Sequence, residues 1–159
     1  MIINMWSGPR NISTALMRSF ENRNDTYVID EPFYGYYLKK TGLKHPMYKE
    51  ILKHYETNEK KIIENLIRKN KNKIMFIKHM THHLNQDSSL EWLKNTKNFF
   101  LIRHPKKVIN SYIKKNKLNN INDLGFIELL RIFEFWSISF SLSEALQLSR
   151  TSILFRSKY

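Results

Sequence analysis

Residues 7–14 bring two kinds of anion-binding group together, hydroxyl side chains and an arginine, in the segment Ser7-Gly8-Pro9-Arg10-Asn11-Ile12-Ser13-Thr14. An apolar run, residues 2–6, precedes this segment, and helix-forming residues 15–20 follow it. The pattern therefore predicts a strand, a tight loop and a helix. That order directs backbone N–H groups and the positive end of a helix towards one point, where a phosphate-like anion binds. Ser13 and Thr14 can donate hydroxyl hydrogen bonds there, and Arg10 adds a planar charged donor.

The segment departs from the Walker A pattern G-x-x-x-x-G-K-[ST]. With Thr14 in the last place, Ser7 replaces the first glycine, Ile12 the second and Ser13 the lysine. The missing lysine argues against hydrolysis of a nucleoside triphosphate, although a P-loop kinase or another nucleotide-binding enzyme stays an alternative. A structural strand–turn–helix capped by Ser13 or Thr14 would have the same pattern.

Acidic side chains follow a second β-type run, residues 26–30, which Pro32 stops. Asp30 and Glu31 would then lie at the carboxyl end of a strand, where open α/β sheets bind their ligands. A carboxylate at this edge could serve as a general base.

A third apolar run, residues 74–77, is followed by Lys78, His79, His82 and His83. These side chains are concentrated where a third strand is predicted to end. Adjacent histidines lack the usual spacing of zinc ligands and the chain has no cysteine, so we predict no metal site.

Arg103 ends a fourth β-type run, residues 98–102, and Pro105 suits the first turn of a following helix. Ser111 would lie two turns into that helix. Arg103 is therefore a second candidate anion contact at a strand end.

These candidates must be positioned by alternating strands and helices. Helical patterns cover residues 47–55, 59–69 and 124–148, and a fifth β-type run covers residues 152–156. The alternation predicts one α/β domain over residues 1–159, with a parallel sheet of about five strands and helices on both faces.

Composition narrows the possible partners. The formal net charge of +13 suits an anionic ligand or a basic nucleic-acid-binding module, but the excess comes mainly from lysines scattered among asparagines. We therefore expect no specific nucleic-acid partner. No apolar run of membrane-spanning length and no signal-peptide pattern is found, so we expect a cytoplasmic protein without membrane contact.

Two of these segments together resemble the P-loop sulfotransferases. In that family a loop P-[KR]-x-x-[ST]-T holds the 5′-phosphosulfate of 3′-phosphoadenosine 5′-phosphosulfate (PAPS), and a later R-x-P-x-x-x-x-x-S holds its 3′-phosphate. The matching segments here are Pro9-Arg10-Asn11-Ile12-Ser13-Thr14 and Arg103-His104-Pro105 through Ser111. The resemblance implies a three-layer P-loop NTPase-like fold and metal-free transfer of a sulfuryl group from PAPS to a hydroxyl or amine.

The resemblance also implies a general base for the acceptor. Glu31 matches one branch of the family by position, and His79 lies near the place used by another, while Lys78 could assist the leaving group. His82 and His83 are further alternatives, with a surface or capping role expected for His83.

The acceptor would be a small molecule or a carbohydrate, and aromatic residues that follow Glu31 could line its pocket or serve only in packing. Members of the family usually continue past the last strand, so the chain is expected to lack a C-terminal segment and could be an inactive relic. The oligomeric state stays open.

Overall fold

The computed structural model describes residues 1–68 and 72–139. Four parallel strands form its sheet in the order β2-β3-β1-β4, which confirms the predicted α/β class. Their bounds are β1 Ile2–Ser7, β2 Thr26–Asp30, β3 Ile74–Met80 and β4 Lys97–Leu101. The predicted fifth strand, residues 152–156, lies outside the described residues.

Within residues 1–68 and 72–139, six helices connect and cover the strands. They are α1 Ser13–Glu21, α2 Tyr34–Thr41, α3 Tyr48–His54, α4 Glu59–Arg68, α5 Pro105–Tyr112 and α6 Phe126–Ile138. Short 3₁₀ turns occupy Thr81–His83, Glu91–Asn95 and Ile121–Leu124. The predicted helices at residues 47–55 and 59–69 are confirmed as α3 and α4. None of the helices in the described ranges is long and apolar enough to cross a bilayer.

The two faces of the sheet carry separate apolar clusters because side chains alternate along each strand. On one face Met5 and Phe76 pack with Met17 of α1. On the other face the strands pack against α4 and α6, with a core made of Ile2, Trp6, Met75, Ile77, Ile62, Leu66, Leu129 and Ile132 among others. Helices thus cover both faces, as the sequence predicts.

A buried polar network joins β1, β3 and β4. The amide nitrogen of Asn4 donates to Asn98 Oδ1 at 3.1 Å, and the indole N–H of Trp6 donates to the same oxygen at 3.0 Å. The Asn98 amide nitrogen donates in turn to the carbonyl of Leu93 at 3.1 Å. Because an unpaired buried polar group is costly, these hydrogen bonds fix the register of β4 against β1.

The loop after β1 lies against the turn that precedes α6. A Cβ atom on Gly8 would come within 2.3 Å of the carbonyl oxygen of Leu124, so only glycine fits there. Thr81 Oγ1 donates to the carbonyl of Gly125 at 2.8 Å, which ties the end of β3 to the start of α6. These contacts bring the residues that follow β1 and β3 to the same edge of the sheet.

Candidate functional site

The loop between β1 and α1 has an irregular backbone. Arg10 and Ile12 adopt φ values of 64° and 63°, in the left-handed region that residues with a side chain rarely occupy. The Asn11 amide nitrogen donates to the carbonyl of Gly8 at 2.9 Å and holds the loop closed. Strain of this kind is concentrated at ligand sites, where the surrounding structure maintains it.

Several hydrogen-bond donors of this loop have no protein partner. Among the described residues, no acceptor is bonded to the backbone N–H groups of Ser13 and Thr14, at the first turn of α1. The Ser7 hydroxyl, at the end of β1, is buried without a hydrogen bond. Helix N-terminal N–H groups and a hydroxyl donor together suit the oxygens of a phosphate or sulfate group.

Arg10 lies close to Arg103 and Ser111, which are 93 and 101 residues further along the chain. The Arg10 Nε atom donates to Ser111 Oγ at 2.9 Å, and Arg103 Nη1 donates to the carbonyl of Arg10 at 3.1 Å. Neither guanidinium has a carboxylate partner in the described ranges. Two guanidinium groups without a counter-charge form an electropositive site for an anion.

The register of the sheet explains why Arg10 lies close to Arg103 and Ser111. Ser7 pairs with Leu101, so β1 and β4 end at the same level. The loop that contains Arg10 and the segment that contains Arg103 therefore leave the sheet side by side. Pro105 begins α5, which carries Ser111 back towards the loop.

A second cluster lies at the ends of β2 and β3. Lys78 is opposite Asp30 in the register, and its ammonium donates to Asp30 Oδ1 at 2.8 Å and to Glu31 Oε1. Burial alone would lower the pKa of Lys78, but the bonds to both carboxylates raise it above its ordinary value. Lys78 is therefore a fixed cation that holds the Glu31 carboxylate in place.

Glu31 stands just past the end of β2 with a left-handed φ of 48°. Its backbone N–H donates to the carbonyl of Lys78 at 2.9 Å. The side chain stays partly exposed, and its Oε2 atom is 4.0 Å from His83 Nε2. The carboxylate can thus be reached from solvent while both Lys78 and His83 restrict its orientation.

The sequence pattern predicts that the third strand ends before His79, and this prediction was wrong because β3 continues to Met80. His79 is 2% exposed, stacks on Trp6 at 4.0 Å between ring centroids, and donates from Nε2 to Asn4 Oδ1 at 3.0 Å. Burial, together with the charge of Lys78, lowers the pKa of His79 to about 3. Alternation along β3 puts it on the opposite face from Lys78.

The surface role expected for His83 was also wrong. His83 is 4% exposed and lies between the rings of Tyr34 and Tyr37, at centroid distances of 5.1 and 4.8 Å. The extra strand residues shift the 3₁₀ turn that carries His83 towards α2. A prediction that extended β3 through Met80 could have placed His83 in the turn that follows it.

The aromatic residues after Glu31 divide between packing and the site. Phe33 is 1% exposed and belongs to the apolar core. The Tyr36 hydroxyl accepts a hydrogen bond from the Asn85 amide at 3.0 Å. Tyr34 and Tyr37 surround His83. In the described part of the chain, no group of three or more histidine, aspartate or glutamate side chains is arranged to hold a metal ion.

Comparison with known proteins assigns the family. A profile described as "Sulfotransferase domain" matches residues 1–135. The chain belongs to the sulfotransferase domain family. Two proteins from Arabidopsis thaliana, branched-chain-amino-acid aminotransferase-like proteins 1 and 2, are each 35% identical to this sulfotransferase domain over 133 residues, which cover 83% of the chain. The matched region is 24% of each relative, so the chain spans about a quarter of their length.

One solved structure was also similar. Shikimate kinase from Acinetobacter baumannii, in complex with shikimate, aligns over 94% of this chain and 89% of its own, with 16% sequence identity and a TM-score of 0.47.

Proposed function

We propose that this sulfotransferase domain moves a sulfuryl group from PAPS to a hydroxyl or amine acceptor. The observation that carries the proposal is the contact of Arg10 with Ser111 and of Arg103 with the Arg10 carbonyl. Residues of two separate sequence segments, each expected to hold one phosphate of PAPS, form a single electropositive site.

The loop after β1 is assigned to the 5′-phosphosulfate end of the donor. Its segment Pro9-Arg10-Asn11-Ile12-Ser13-Thr14 presents the free N–H groups of Ser13 and Thr14 and the guanidinium of Arg10. Sulfuryl transfer needs stabilisation of the charge that develops on the leaving phosphate. These N–H groups and the guanidinium can stabilise that charge by donating hydrogen bonds to the phosphate oxygens. Arg103 and Ser111 are assigned to the 3′-phosphate, which distinguishes PAPS from ATP.

Glu31 is assigned as the general base. As the acceptor oxygen or nitrogen attacks sulfur and the bond from sulfur to the leaving phosphate oxygen breaks, the acceptor's proton passes to the Glu31 carboxylate. Lys78 fixes this carboxylate and adds positive charge near the transferred group. We prefer Glu31 to His79 because the His79 ring is enclosed by Trp6 and Asn4, away from the accessible edge.

Transfer of sulfur-35 from labelled PAPS to a panel of hydroxyl and amine acceptors tests this proposal. Glu31→Gln keeps the shape of the side chain but cannot take a proton, so kcat should fall by about 10²- to 10⁴-fold with little change in the KM for PAPS. Glu56→Gln, an exposed control away from the site, should keep full activity. An active Glu31→Gln enzyme would contradict the assignment of the base.

A further inference from the structure

A cleft of about 740 Å³ opens beside the candidate site. Its lining includes Tyr37, His82, Tyr112, Lys115 and Lys117. Its volume is in the range of small-molecule binding pockets. Its lining does not include residues 7–14, Glu31 or Lys78.

The position of the cleft suits an acceptor. Tyr37 stacks on His83, whose Nε2 atom is 4.0 Å from Glu31 Oε2. Tyr112 directly follows Ser111, which contacts Arg10. The cleft lining therefore includes a residue in contact with a neighbour of the proposed base and a residue next in sequence to the proposed donor contact Ser111.

The polar groups of the cleft that are free to bind a ligand are mostly neutral. Among the described residues, the hydroxyls of Tyr37 and Tyr112 have no hydrogen-bond partner, and His82 Nδ1 is buried without a hydrogen bond. Burial and the nearby charge of Asp123 raise the pKa of Tyr37 and of Tyr112, so both phenols keep their proton at neutral pH. Burial, with a smaller effect of His45, lowers the pKa of His82 to about 4, so its imidazole is neutral.

The two carboxylates of the cleft are already engaged. Asp123 Oδ2 accepts from the backbone N–H groups of Asn119 and Asn120 at 3.0 and 3.1 Å. Glu128 is paired with Arg131 at 2.7 Å. Backbone hydrogen bonds leave the negative charge of Asp123 in place, but Lys115 and Lys117 together outnumber it, so the net charge of the cleft lining is positive.

That positive charge comes from Lys115 and Lys117, which line the cleft and are exposed. Neither lysine forms an ion pair with a carboxylate of the described residues. Neutral donors and acceptors beside aromatic rings suit the hydroxyl groups and C–H faces of a sugar, and the two lysines suit an anionic substituent on it.

We infer that this cleft binds the acceptor and that the acceptor is a saccharide carrying an acidic group. The inference rests on the proposed function for the identity of the reaction. It adds the class of substrate and the residues that select it, with Tyr37 for the sugar and Lys115 and Lys117 for the acidic group.

The test is calorimetry with two oligosaccharides of the same length, in the presence of 3′-phosphoadenosine 5′-phosphate. One probe is an unsulfated tetrasaccharide of alternating glucuronic acid and N-acetylglucosamine, and the other is the neutral tetramer of N-acetylglucosamine. The acidic probe should bind about three- to tenfold more tightly, as expected for two exposed ion pairs.

Variants of the cleft test the binding of the acidic group and the binding of the sugar separately. The double variant Lys115→Gln/Lys117→Gln should remove the preference for the acidic probe, whereas Lys114→Gln, an exposed control outside the cleft, should retain it. Tyr37→Phe removes one hydroxyl and should weaken both probes about three- to tenfold.

The inference would be overturned if neither oligosaccharide bound while 3′-phosphoadenosine 5′-phosphate did, a result that leaves the proposed donor intact. Equal binding of the two probes, unchanged in the double variant, would also overturn it. Selective binding of the acidic probe without nucleotide binding would support the cleft as a saccharide site and contradict PAPS as the donor.

Discussion

Acid should destabilise this domain well above the pH at which its carboxylates are protonated. Three histidines, the buried His79 and His83 and the partly buried His82, are held neutral in the folded chain. Burial lowers the pKa of His79 to about 3 and of His82 to about 4, and burial also puts the pKa of His83 well below its ordinary value. In the unfolded chain each would titrate near 6.5.

The direction and size of the effect follow from proton linkage. Below pH 6.5 the unfolded chain binds protons that the folded chain does not, so folding free energy is lost as the pH falls towards the folded pKa values. Between pH 7 and 5 the loss is about 2 kcal/mol for His79 and about 2 kcal/mol for His82, so about 4 kcal/mol for the two together, and His83 adds to it in the same direction. That is a large share of the ~5–15 kcal/mol that stabilises a typical domain.

Urea unfolding followed by tryptophan fluorescence at pH 7, 6 and 5 measures this loss. His82→Gln removes one titrating ring, so its free energy of unfolding should fall by about 2 kcal/mol less than that of the wild type. His54→Gln, an exposed control, should follow the wild type. A wild-type free energy of unfolding that stays constant from pH 7 to 5 would refute the reasoning.

Two substitutions test how the fold holds the site. Gly8→Ala puts a Cβ atom within 2.3 Å of the Leu124 carbonyl and should lower the free energy of unfolding by about 2–3 kcal/mol. Gly42→Ala, in open space at a positive φ, should cost about 1 kcal/mol, and a Gly8→Ala cost no larger than this would contradict the close approach. Asn98→Ala leaves the Trp6 indole N–H buried without an acceptor and should lower the free energy of unfolding by about 1–3 kcal/mol in the same assay. An unchanged urea midpoint would show that this network does not stabilise the fold.

The local features of the site could be predicted from the sequence. Its first segment has the strand, loop and helix in the predicted order, because apolar periodicity and helix-forming residues determine each of them over a few positions. Pro105 begins α5 as expected, because its fixed φ and missing N–H suit a first helical turn.

The features of the site that depend on strand length or on contacts between distant residues could not be predicted from the sequence. Lys78 and His79 are polar, so the apolar pattern ended β3 three residues early and assigned both residues to the same edge. In the structure they lie on opposite faces, where Lys78 binds two carboxylates and His79 joins a buried network. The bond between Arg10 and Ser111 depends on the pairing of β1 with β4, which no local pattern specifies.

We propose that Arg10, Arg103 and Ser111 together bind a nucleotide that carries a 3′-phosphate. Calorimetry with 3′-phosphoadenosine 5′-phosphate, AMP and ATP tests it most directly. We expect selective binding of the 3′-phosphorylated nucleotide, with the selectivity over AMP lost in Arg103→Ala and reduced in Ser111→Ala, and all binding weakened in Arg10→Ala. Equal affinity for AMP and for 3′-phosphoadenosine 5′-phosphate, or tighter binding of ATP, would contradict it.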